Sequence, residues 1–81
     1  MRTPRIDAWL RRDFPEDSHA AAAQLVSRIS IDLITWSIVS ESDRVEAAAL
    51  QYAQADLSKL EAAVDLALLD WRDLLVRVGA A

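Results

Sequence analysis

Residues 57–78 read LSKLEAAVDLALLDWRDLLVRV, and the placing of the apolar positions in this stretch decides the fold. Leu57, Leu60, Val64, Ala67, Trp71, Leu74 and Val78 recur at alternating intervals of four and three, the spacing of one helix face. The same spacing continues upstream through Ala53 and Leu50 without a glycine or proline to interrupt it. Because a break ordinarily shifts the phase, the pattern predicts one long helix from about 43 to 78. Ser58-Lys59-Leu60-Glu61 has the form of a capping box, so a break near 56–58 is the alternative. Gly79 is placed to serve as the C′ residue, and Arg72 and Arg77 suit the negative end of the helix dipole.

Projected at about 100° per residue, this helix carries apolar side chains on two sides. Leu57, Leu60, Val64, Ala67, Leu68, Trp71, Leu74, Leu75 and Val78 fill one; Ala62, Leu66, Leu69 and Val76 lie nearly opposite. Glu61, Asp65 and Arg72 separate the two stripes on one flank, and Lys59, Asp70 and Arg77 on the other. A helix on the surface of a monomer needs one apolar stripe. Burying a leucine or valine is worth about 1.5–3 kcal/mol, so a second stripe calls for a second surface to cover it.

Upstream, Thr3-Pro4 reads as an N-cap followed by proline in the first turn. Ile6, Trp9 and Leu10 then share one face of a short helix over 4–13, which Phe14-Pro15 ends, since a residue before proline is pushed out of the α region. A second helix is expected over about 18–39, with Asp17 or Ser18 as cap and a stripe of Ala22, Leu25, Val26, Ile29, Leu33 and Trp36. Ile31, Ile34 and Ile38 add a second stripe. The β-branched run 29–39 is also compatible with a strand. Helix is preferred, because no other segment offers a strand partner and a lone strand leaves its backbone groups unpaired. Ser40-Glu41-Ser42-Asp43 is the main break, and Asp43 with Glu46 resembles a cap with its acidic N3 residue.

These elements make an all-α chain: a small helical bundle in one domain over 1–81, a helical hairpin preceded by a short helix. The doubled stripes predict that it pairs with a second copy into a dimeric bundle, with Ile31, Ile34, Ile38, Leu66, Leu69 and Val76 at the interface. Size points the same way. At 81 residues the core is modest, and with no cysteine and one histidine neither disulfides nor a single-chain cage of several histidines can add stability.

Composition narrows the function classes. The chain is 53% hydrophobic and 27% charged with mean hydropathy +0.09, a folded amphipathic mixture. No apolar run approaches the roughly 18 residues of a membrane span, and no secretory-signal core follows Met1, so the cytoplasm is the expected compartment. Alanine abundance and the preference for Arg over Lys suggest a bacterial or phage origin. Net charge is −4, yet Arg2, Arg5, Arg11 and Arg12 against Asp7 make the first dozen residues basic. Only the first helix could therefore meet nucleic acid, through Arg5, Trp9 and Arg12 on one face, and the acidic remainder makes such binding an alternative to the main expectation.

The remaining chemical motifs are weak. Glu16-x-x-His19 has the spacing of a di-iron ligand pair, but it follows Pro15 and the chain has no second histidine, so a polar helix start explains it better. Asp17, Ser18 and His19 are sequence neighbours and cannot meet as a triad. Asp65, Asp70 and Asp73 fit a solvated helix face, with Asp73 and Arg77 paired at i,i+4. Trp36, Trp71, Tyr52 and Phe14 fit core or interface anchors. No enzyme, cofactor or metal is expected. The expected function is that of a self-associating, non-enzymatic helical module that binds another protein, an acidic adaptor or inhibitor such as an antitoxin or anti-defence protein.

Overall fold

The computed structural model of the chain describes residues 3–35 and 42–79. Among these there are four α-helices and no strand: α1 (Pro4–Asp13), α2 (Glu16–Thr35), α3 (Ser42–Ala53) and α4 (Leu57–Arg77). The all-α expectation holds, and the β-branched run is helical from Ile29 through Thr35; residues 36–39 of the expected second helix lie outside the described residues. No helix in the described chain is long and apolar enough to cross a membrane.

α1 follows its local chemistry. Thr3 is extended and its hydroxyl accepts from the Ile6 N–H, Pro4 opens the first turn, and Ile6 and Leu10 are buried. Phe14 ends the helix in an extended conformation, as the residue before a proline must. α2 starts at Glu16, two residues before the start expected at 18 and ahead of the Asp17 or Ser18 cap expected from sequence. The Pro15 carbonyl accepts from the Ser18 and His19 N–H groups, both at 2.9 Å, so the first turn closes on proline and leaves Asp17 and Ser18 inside the helix.

α3 is the central helix, packed against the other three. Val45, Glu46, Ala48, Ala49, Leu50 and Ala53 are all buried. Such enclosure explains the alanine run, because small side chains let neighbouring helices approach on several sides. Because α3 starts at Ser42, Glu46 lies beyond the N3 position expected of it, and it is completely buried. Asp43 sits within the first turn of α3, not before it, and its carboxylate reaches across to α1.

The single helix expected over 43–78 is interrupted twice. Gln54 (φ 50) and Ala55 (φ 64) are left-handed, and the Asp56 carboxylate then caps α4 by accepting from the Ser58 N–H at 2.9 Å and the Lys59 N–H at 3.2 Å. The break thus falls at 54–56, and Asp56 does the capping expected of Ser58. A second break lies inside α4, where Asp70 alone is non-helical (φ −157, ψ 93). Its carboxylate accepts from the Arg72 and Asp73 N–H groups at 3.1 and 3.4 Å, an N-cap for the arm 71–77. A straight helix of 21 residues would carry its far end about 30 Å from the α3–α4 turn. Instead the Val78 carbonyl accepts from Gln51 Nε2 at 3.4 Å, close to that turn. α4 therefore doubles back at Asp70 as two arms, 57–69 and 71–77.

The 54–56 turn gives a prediction whose sign separates a turn from a helix. A non-glycine residue in the left-handed region costs about 1–2 kcal/mol, part of which glycine returns as backbone entropy. Gln54→Gly and Ala55→Gly should each stabilise the protein by about 0.5–1 kcal/mol in denaturant unfolding. In an uninterrupted helix each would destabilise it by about 1 kcal/mol.

Candidate interaction surface

The core takes Leu60, Ala63, Val64 and Ala67 from the first arm of α4 and Leu74 and Leu75 from the second, with Leu57, Leu66, Leu68, Trp71 and Val78 partly buried against it. What remains outside is specific. Leu69 is 85% exposed, Ile31 66% and Val76 63%, while Tyr52, read from sequence as an anchor, is marginally exposed. Doubling back changes the two-sided projection, because a straight cylinder cannot describe two arms. Leu66 packs against its own core, which departs from the outward position expected of it, whereas Leu69 stands at the corner and Val76 on the outer side of the second arm. Ile34 lies in α2 but its side chain is outside the described residues, as are Ile38 and Trp36.

Leu69 and Ile31 are related by an ion pair between their helices. Arg28 and Asp65 lie 3.7 Å apart, and both are exposed. Three positions after Arg28 comes Ile31, and four after Asp65 comes Leu69, each one turn further along its helix. An exposed pair of this kind contributes little stability.

The basic face of α1 is assembled as expected, but its charges are engaged. Arg5, Ala8, Trp9 and Arg12 line one shallow depression of about 300 Å³. Arg5 is hydrogen-bonded to Asp43. Arg12 donates to Asp13 at 3.1 Å and lies 5.6 Å from the Trp9 ring centroid, while the Trp9 indole N–H donates to the other Asp13 oxygen at 2.9 Å. These carboxylates offset part of the positive charge that Arg5 and Arg12 would offer a phosphate. The same contacts tie α1 down: Asp43 also accepts from the Thr3 hydroxyl at 2.6 Å.

The Thr3 hydrogen bond has the largest effect on the Asp43 carboxyl and lowers its pKa; burial opposes it, and the hydrogen bond and charge of Arg5, each a smaller effect, keep the net shift downward. A carboxyl depressed in the folded state stabilises the fold above its unfolded pKa and loses that contribution as pH falls through the folded value. Stability should therefore decline below about pH 4, and Asp43→Asn should remove this part of the decline in melts recorded across acid pH. An unchanged slope would mean that the α1–α3 contact carries no linkage.

Elsewhere, Arg11, Phe14, Pro15, Glu16, His19 and Ala20 surround an open depression of about 390 Å³ at the α1–α2 corner. Glu16 and His19 occupy the first turn of α2, and no group of three or more His, Asp or Glu among the described residues could hold a metal ion. Near the end of α4, Asp73 and Arg77 form the expected i,i+4 pair at 3.0 Å, and that hydrogen bond raises the Arg77 pKa further. Arg72 lies 5.2 Å from the Trp71 ring centroid. Sequence alone missed Asp70 as a helix break, because an aspartate between leucine and tryptophan looks like a flank charge; an N-cap residue type at 70 with acidic Asp73 three positions later was the available signal. The chain matches no protein-family model, no curated protein and no solved structure.

Proposed function

We propose that this chain is a non-enzymatic helical interaction module that pairs with a second copy of itself and, as a dimer, binds another protein. The supporting observation is Leu69: a leucine 85% exposed at a helix corner, in a chain that also exposes Val76 and Ile31. Single exposed aliphatics are ordinary. Three large ones among the described residues, with Leu69 and Ile31 each a turn beyond a shared ion pair, suit an isologous contact in which each copy covers the other. The net charge of −4 favours a basic partner, as an adaptor or an inhibitor of the antitoxin or anti-defence type would meet.

Donor-labelled and acceptor-labelled chains, each tagged at the N-terminal amine and mixed at micromolar concentration, test the pairing. Energy transfer that is competed away by unlabelled chain is the expected result. Its absence at every concentration would leave the exposed aliphatics as ordinary surface.

A further inference from the structure

We infer that the chain pairs by exchanging the second arm of α4, residues 71–78, between two copies, each arm docking where the other copy's own arm lies in the closed monomer. This rests on the proposed self-association and specifies how it happens. Three observations carry it.

The first is the size of the hinge. Between Leu57 and Arg77 only Asp70 departs from helical geometry, and the stretch contains no glycine or proline. Rotating the backbone of that one residue into the helical region makes α4 continuous. A connection this short is where exchange between copies arises, since opening it requires no loop to refold. The 54–56 turn differs: two of its residues are left-handed, so straightening it takes more than one rotation.

The second is what straightening does to the side chains. In the closed form Leu60, Val64 and Ala67 on the first arm and Leu74 on the second are all buried. Their intervals of four, three and seven residues keep them on one stripe of a continuous helix. The released arm thus presents Leu74 to a second copy on the same face that seats it in its own core. Exchange reuses the native contacts, the Gln51–Val78 hydrogen bond among them, and needs no new complementary surface.

The third is the position of Leu69. It is the last helical residue before the hinge and the most exposed of the large aliphatics described. In an exchanged dimer the two straightened helices pass each other at their hinges, which is where contacts absent from the monomer form. A leucine there is covered only when two copies cross.

The test uses the absence of cysteine from the chain. In a Gln51→Cys/Val78→Cys variant, a short bis-maleimide added to the isolated dimer links the two thiols. Exchange predicts covalent dimers on a denaturing gel, because residue 51 of one copy then lies beside residue 78 of the other. A native dimer yielding only internally linked chains overturns the exchange but leaves self-association standing. Monomer at every concentration overturns both. Asp70→Ala supplies a second measurement with the hinge altered. It removes the cap of the closed arm and places a better helix former at the hinge, so dimerisation should tighten on the order of tenfold to a hundredfold. Weaker dimerisation by a folded Asp70→Ala protein would count against the hinge.

Discussion

Replacing Leu69 with glutamate is expected to convert the proposed dimer to a folded monomer. The side chain is almost fully exposed within one chain, so the change removes no internal packing, and the melting temperature of the monomer should stay within a few degrees. The loss falls on association. Burying a leucine is worth about 1.5–3 kcal/mol, a symmetric pair buries it twice, and a buried glutamate adds a desolvation cost. The dimer constant should weaken by more than about a hundredfold, given about 1.4 kcal/mol per factor of ten. Sedimentation of Leu69→Glu beside the unaltered chain measures it. Equal dimerisation by both proteins would remove Leu69 from the interface.

Phe14→Ala should have the largest effect on the fold itself. Phe14 is the largest fully buried side chain described, held at the α1–α2 corner by the extended backbone that Pro15 imposes. Truncating a buried phenylalanine costs about 3–5 kcal/mol. That is much of the stability available to a small domain, about 5–15 kcal/mol. At about 4–8 °C per kcal/mol for 60–100 residues, the melting temperature should fall on the order of 20 °C. A fall of only a few degrees would show that the corner is not part of the core.

How much of this was legible in the sequence depends on how local each cause is. Thr3, Pro4 and the Phe14-Pro15 step act on their immediate neighbours, and α1 has the bounds that they imply. The buried stripe through Leu60, Val64, Ala67 and Leu74 was legible because burial and helical period are coupled directly. Periodicity failed where two segments face the same core. Leu50, Ala53, Leu57 and Leu60 hold a three- and four-residue spacing across a turn containing two left-handed residues, because both helices direct those positions inward. Neither Gln54 nor Ala55 carries a turn signature, so the phase gave no warning. Asp70 was hidden for a related reason: aspartate suits a helix flank and an N-cap alike, and packing of the returning arm decides between them.

The candidate surface was legible in part. Leu69 and Val76 are exposed and belong to the stripe read as unneeded by the core, and Ile31 is exposed with them. Leu66 belongs to the same stripe in projection but packs inward, since the doubled-back helix buries positions that a straight one would expose. Glu46 misled because N3 acidic residues are common at helix starts, whereas α3 begins at Ser42 and so carries Glu46 past that position into the enclosed part of the helix.

Light scattering coupled to a sizing column, run on the unaltered chain through a dilution series, tests the pairing most directly. A mass of twice the 9.0 kDa chain at micromolar concentration, falling towards one chain on dilution, is the result that self-pairing predicts. A mass of one chain at every concentration would contradict it.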